Sequence, residues 1–209
     1  MKKVYLLRHG ETDWNKNFKI QGQLDIELNE KGVKDSIKTA EFISNFNTKI
    51  DMVISSPLQR SKFLTKEISK RFKLEPVYFD ELKELDFGVW EGLSFDEVRQ
   101  KYPDDLKKWI YEPQSAKIPE GESLSDLQNR VKKVIGFIKK ENKENFVVVG
   151  HGVVNRIIIL NLLGLPLGKY RVFEQDSCSI SIFEFEWEWR SVLINFTLDF
   201  TAYHTSFIG

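Results

Sequence analysis

Histidine is scarce in this chain, three residues in 209, and two of the three stand in matching settings. His9 follows the apolar run of "VYLLRHG", and His151 follows that of "FVVVGHG". Arg8 directly precedes His9, and Arg60 stands in "SSPLQRS", just beyond a third apolar run, "DMVIS". The chemistry these types share is phosphoryl transfer. A neutral imidazole can attack phosphorus and form a covalent intermediate, which splits one difficult displacement into two easier ones. Two guanidinium groups hold phosphoryl oxygens in a fork that lysine does not reproduce, and their fixed charge stabilises the transition state. His151 adds a donor for the same oxygens. The leaving group needs a proton, which a carboxylic acid supplies. "FDELKELDFGVWEGL" offers Asp80, Glu81, Glu84, Asp86 and Glu91, and spacing does not choose among them. No grouping of metal-ligand types is visible, so no metal and no cofactor are expected.

Four short apolar runs read as buried strands that must position these groups: residues 3 to 7, 51 to 55, 76 to 79 and 146 to 150. Helical patterns lie between them. One runs from about Asn29 to Phe46, and a second starts at "SSPLQR", with Ser56 read as N-cap and Pro57 at the first helical position. Ser94 and Glu97 have capping-box spacing; a long helix is read from Ser123 to about Asn142, and another after His151. Strands alternating with helices predict an α/β protein, a three-layer α/β/α arrangement around a mostly parallel sheet. "CSISIFEFEW" and "SVLINFTL", either side of a turn at about Glu188 to Arg190, predict a C-terminal antiparallel hairpin. The stretch from about Phe87 to Pro119 has helices and no strand, and reads as a helical cap insertion within a single domain over residues 1 to 209. Ligands of open α/β sheets bind at the carboxyl ends of the strands. His9, Arg60 and His151 therefore converge, with Arg8, on one edge.

Lysine plus arginine equals aspartate plus glutamate at 31 each, so nothing in the charge balance points to nucleic acid or an anionic membrane. The four-residue apolar run near the N-terminus is too short for a signal-peptide core or a membrane span, and a cytoplasmic protein is expected. A lone cysteine, Cys178, excludes an intramolecular disulfide; its place in "SCSISIFEF" reads as a packed thiol in a strand.

The segments "LLRHGETDWN", "IQGQLDIELNEKG", "SSPLQRS", "LKELDFGVWEGL", "IPEGESL" and "VVGHGVVNR" occur in an order and spacing that resemble the histidine phosphatase superfamily, also called phosphoglycerate mutase-like. The resemblance spans nearly the whole chain. It implies that His9 is the phosphorylated nucleophile and that Arg8, Arg60 and His151 form the phosphate pocket. It also selects the acid, because the family's proton donor lies four residues before the glycine of an "FG" or "YG" pair, which Gly88 places at Glu84. Asn15, Thr12 and Gly22 are implied as further phosphate contacts, and Gly10 is read as letting the backbone turn tightly around the ligand.

Within the family, the segment after Glu84 runs straight into a helix, and Arg99, Lys101, Lys107 and Lys108 alternate with acids as on a solvated face. That favours a phosphatase acting on a small-molecule phosphomonoester over a cofactor-dependent phosphoglycerate mutase. The compact cap and "EQDSCSISIFEFE" resemble α-ribazole phosphatases; "KKWIYEPQSAKIPEGESL" and the tail resemble metal-independent phosphoserine phosphatases. Phe87, where some of the latter carry a histidine, and His204 in the apolar tail complete the substrate-binding set. Trp14, Phe18 and Trp90 read as packing residues of the motifs and core. A homodimer is an expectation from size alone. A relative that only binds a phosphorylated ligand is the reading from another class, and phosphorylation of His9 separates the two.

Overall fold

A computed structural model describes residues 1–198. Six strands, β1 (Lys2–Arg8), β2 (Met52–Ser55), β3 (Val77–Tyr78), β4 (Asn145–Gly150), β5 (Ile180–Phe185) and β6 (Trp189–Phe196), form one sheet in the order β3-β2-β4-β1-β5-β6. The four strands from β3 to β1 are parallel, and β5 and β6 add the antiparallel pair. Seven α-helices accompany them among the described residues: α1 (Asp13–Lys16), α2 (Glu30–Ser44), α3 (Gln59–Phe72), α4 (Phe95–Lys101), α5 (Pro103–Tyr111), α6 (Leu124–Lys140) and α7 (Gly152–Leu162).

The central strands are apolar on both faces, so the sheet is covered on both sides. In β1, Val4 and Leu6 belong to one core and Tyr5 and Leu7 to the other, all at most 2% exposed. The first core continues into α6, α7 and the cap, the second into α2 and α3. Burial on both faces is what a continuous apolar run in a parallel sheet requires. The parallel register then sets the functional edge. Arg8 pairs with Gly150, so His9 and His151 leave adjacent strands at the same level, and Ser55 pairs with Val149 beside them. His9 N–H still donates to the Gly150 carbonyl at 3.2 Å, and Ser56 N–H to that of Val149 at 3.0 Å.

Three local expectations shift. Helix α3 starts at Gln59 with Leu58 as N-cap, so neither Ser56 nor Pro57 takes the assigned place. The Ser56 hydroxyl bonds His151 instead, and the Asp25 carboxylate accepts from the exposed Gln59 N–H at 2.6 Å. The hairpin turn falls earlier, because Trp189 is buried against Phe185 at a ring separation of 5.0 Å and pairs with it, drawing Trp189 and Arg190 into β6. Cys178 precedes β5 in a left-handed backbone conformation rather than lying in a strand. It is buried, and burial pushes its thiol up to about 11.

The stretch from Phe87 to Pro119 holds α4 and α5 and reaches other segments through the isolated bridges of Lys19 with Ser94 and Lys117 with Ser123. Its interior is aromatic. Trp109 lies 6.1 Å from Phe87, 6.2 Å from Trp90 and 5.4 Å from Tyr170. No helix of the described residues is long and apolar enough to cross a membrane.

Candidate active site

Each strand end delivers its polar residue to one place. The His9 and His151 rings are 5.0 Å apart, and Arg60 Nε donates to His151 Nδ1 at 3.1 Å. Both imidazoles are almost wholly enclosed. Burial holds each well below the usual histidine range, and the charges of Arg60 and Arg8 push further in the same direction.

The partners fix the tautomers. His9 Nδ1 lies 2.6 Å from the Gly10 carbonyl, which only accepts, so Nδ1 carries the proton and Nε2 the lone pair. That is the form a nitrogen nucleophile needs. In His151 the order is reversed. Nδ1 accepts from Arg60, so Nε2 carries the proton and donates to Ser56 Oγ at 2.8 Å, with Ser61 Oγ at 3.3 Å. The sequence expectation made His151 a donor to phosphoryl oxygens; in this arrangement its proton goes to Ser56 and its other nitrogen orients Arg60.

Arg60, 1% exposed, spends three N–H groups on His151 and on the carbonyls of Leu24 and Gly22, the latter two at 2.7 Å each. A guanidinium has five, so one remains on each terminal nitrogen. Burial lowers Arg60 to about 10, opposed by the charge of Glu84. Arg8 Nη1 donates to the Gln175 carbonyl at 2.6 Å, while its enclosed Nε has no acceptor among the described residues. A buried charged donor without an acceptor is costly. An anion at this position removes that cost.

Of the five acids left open by spacing, Glu84 is the one whose carboxyl meets the N-terminus of α7 beside Arg8. Its Oε1 accepts from Leu85 N–H at 2.9 Å and Val154 N–H at 3.0 Å, and its Oε2 from Val153 N–H at 3.1 Å. It thus sits on the first turn of α7, where the helix end favours negative charge. It is also the strongest counter-charge acting on both Arg8 and Arg60. A Cβ on Gly152 would stand 3.6 Å from Glu84 Oε2 and 3.8 Å from Arg8 Cζ, so acid and arginine meet across this glycine. Asp80 pairs with Lys83, Glu81 with Lys133, and Asp86 accepts from Gly88 N–H, while Glu91 accepts from the N–H groups of Gln23 and Phe87 within reach of the Arg60 charge, and burial raises its carboxyl above the usual range.

The model of the histidine phosphatase superfamily (branch 1) matches residues 4–197. The chain belongs to that family. It is 37% identical to "Phosphoserine phosphatase 1" of Hydrogenobacter thermophilus over 183 residues, covering 87% of this chain and 86% of the relative. It is 31% identical to a "Probable phosphoglycerate mutase" of Salmonella arizonae over 182 residues, covering 87% and 84%. Among solved structures, phosphoserine phosphatase of Entamoeba histolytica in complex with 3-phosphoglyceric acid superposes with a TM-score of 0.84 at 30% identity, covering 95% of this chain and 98% of that one. This chain is accordingly a phosphatase of the histidine phosphatase family.

Around the core of this histidine phosphatase the lesser candidates take mixed places. Thr12 and Asn15 form a capping box on α1, in which Asn15 Oδ1 accepts from Thr12 N–H and Oγ1 at 3.1 Å each. What Asn15 can offer an anion is therefore its amide N–H. Gly22 holds Arg60 through its carbonyl, and at φ +51 a Cβ would lie 1.8 Å from Glu91 Oε1, so glycine is required. Gly10 has no positive φ; a Cβ there would strike the Gly32 carbonyl at 2.4 Å, so close approach of α2 is what demands glycine, not a tight turn. Phe87 is buried in the aromatic interior of the cap, where its ring serves packing. His204 lies outside the described residues. Sequence reasoning missed Ser61 and Gln175 and gave Ser56 to a helix cap. "SSPLQRS" held two of these hydroxyls, but nothing local marks Gln175, whose carbonyl meets Arg8 from 167 residues away.

The neutral histidines set a pH prediction. Unfolded, each ring takes a proton near its ordinary value of 6.5; folded, it resists protonation to well below that. Stability is therefore full above pH 6.5 and falls as the pH drops below it, by up to roughly 1.4 kcal/mol per pH unit for each ring. Thermal midpoints between pH 8 and 5 should begin to fall near 6.5. For the same reason the acid limb of kcat/KM should lie below 6.5. A limb at or above 6.5 would contradict a neutral His9 in the free enzyme.

Proposed function

We propose that this phosphatase hydrolyses a small-molecule phosphate monoester, phosphoserine foremost, through a phosphohistidine on His9 and without a metal ion. The observation that carries the proposal is the pairing of a neutral His9, whose Nε2 carries the lone pair, with a buried Arg8 Nε that has no acceptor among the described residues. Arg8 and the two remaining N–H groups of Arg60 hold the phosphoryl oxygens and balance the charge that develops on them. Nε2 attacks phosphorus, the ester P–O bond breaks, and Glu84, which takes up a proton when the substrate anion enters beside it, gives that proton to the leaving oxygen. Glu84, now a carboxylate, takes a proton from water; the water oxygen attacks phosphorus, the N–P bond breaks, and inorganic phosphate leaves.

The preference for phosphoserine rests on the relatives in Hydrogenobacter and Entamoeba that carry that name. The relative named a probable phosphoglycerate mutase favours the second reading, transfer between positions of a phosphoglycerate. Against it, Arg99 is paired with Asp96 at 3.0 Å, and it and Lys101, Lys107 and Lys108 are exposed, as on a solvated face. Phosphate release from phosphoserine, α-ribazole phosphate and 3-phosphoglycerate, each with excess chelator, tests the proposal. Release is expected to be fastest from phosphoserine and indifferent to chelator. Release abolished by chelator would overturn the metal-free mechanism, and isomerisation of 3-phosphoglycerate outpacing hydrolysis would favour the mutase.

A further inference from the structure

Arg130 stands on α6 and makes no contact with His9, yet its guanidinium closes on the segment that carries the acid. Nη1 donates to the carbonyls of Glu81 at 2.7 Å and Lys83 at 2.6 Å, and Nη2 to that of Glu84 at 2.8 Å. Nε and Nη2 also meet the two carboxylate oxygens of Glu122, both at 2.8 Å. Glu122 in turn accepts from Asp86 N–H at 3.0 Å. The pair is largely shielded, with side-chain exposures of 14% and 21%. Such a fork has a fixed plane, so its bonds set the backbone from Glu81 to Asp86 relative to α6. The Glu84 carboxyl is meanwhile pinned on its other side by α7, and Gln23 Nε2 donates to the Glu84 carbonyl at 3.2 Å.

We propose that Arg130, locked by Glu122, is a positioning residue for proton transfer by Glu84: it holds the acid's backbone so that the carboxyl meets the leaving oxygen. This rests on the reading of Glu84 as proton donor. Proton transfer is sensitive to displacements well under an ångström, whereas the attack by His9 depends on other elements. Loosening the clamp should therefore slow phosphorylation of His9 only by those esters whose leaving group must be protonated, while the later attack of water is a step common to all esters.

The test compares phosphoserine, whose alkoxide needs a proton, with p-nitrophenyl phosphate, whose phenolate leaves unaided. Arg130→Gln is expected to lose ~10- to 100-fold in kcat/KM, which reports only the steps through leaving-group departure, on phosphoserine and ~3-fold or less on p-nitrophenyl phosphate. Removing the arginine alone leaves Glu122 unpaired. Glu122→Gln and the double variant Arg130→Gln/Glu122→Gln avoid that, and carry the test if the single variant does not fold. A purely structural clamp would lower both esters equally, and that result, or no loss on either, overturns the proposal. Glu84→Gln measured in parallel separates the two ways of failing. If it shows the selective loss and the Arg130 and Glu122 variants do not, the positioning role is wrong; if it too loses both esters equally, the donor assignment is wrong and the proposal falls with it.

Discussion

A His9→Ala variant is expected to lose ~10⁴-fold or more in turnover on every ester while remaining folded. The loss is large because, among the described residues, no other nucleophile stands free at this position. The neighbouring imidazole, His151, has its Nδ1 lone pair engaged by Arg60 and its proton on Nε2. The fold should survive because the backbone contacts of residue 9 do not need the ring: its N–H donates to Gly150 and its carbonyl accepts from Cys178 N–H at 3.1 Å. Arg8 and Arg60 also stay in place, held by Gln175, Gly22 and Leu24. Inorganic phosphate should therefore still bind the variant, which separates loss of the nucleophile from loss of the pocket. Steady-state rates and equilibrium phosphate binding check both halves. A variant retaining more than about a hundredth of the activity would show that His9 is not the attacking group.

Glu84→Gln is expected to cost ~10²- to 10⁴-fold in kcat/KM on phosphoserine, the range typical of general acid catalysis, and far less in kcat/KM on p-nitrophenyl phosphate, because kcat/KM leaves out the later attack of water. The amide matches the carboxyl in size and its oxygen can still accept from Leu85 and Val154 N–H. Its NH2 would face Val153 N–H, so one of the three backbone bonds is lost. The helix end also loses a negative charge, and both arginines lose their strongest counter-charge. These secondary effects weigh on both esters alike. The ratio of the two losses therefore isolates the proton: a ratio near one would remove Glu84 from the donor role.

Much of the architecture is readable in the sequence for a physical reason. Central strands of a sheet buried on both faces must be apolar at successive positions, and "KVYLL", "MVIS" and "FVVVG" are. Once those runs are strands, His9, Arg60 and His151 are bound to one edge. The capping boxes at Ser94 and Ser123 are equally legible, because their partners are three residues away. The less legible features are those decided by contacts across the fold. The start of α3 moves because Ser56 finds His151 some 95 residues on, and the hairpin turn moves because Trp189 buries against Phe185. The tautomers of the two histidines depend on Gly10, Arg60 and Ser56 together. Arg130 reads as one more helical arginine until the fold brings Glu81, Lys83 and Glu84 to it. The choice of Glu84 from five acids came from resemblance, and the contact of its carboxyl with the N–H groups of Val153 and Val154 is visible only in the fold.

The most direct measurement is to mix the protein with excess phosphoserine or p-nitrophenyl phosphate, quench within the first turnovers in alkali, and map the phosphoryl group by peptide mass. A single acid-labile phosphoryl on the peptide containing His9, absent from His9→Ala and accumulating in Glu84→Gln with the nitrophenyl ester, is the predicted result. Steady phosphate release with no phosphoryl on the chain at any time, or with the group on another residue, would contradict attack by His9.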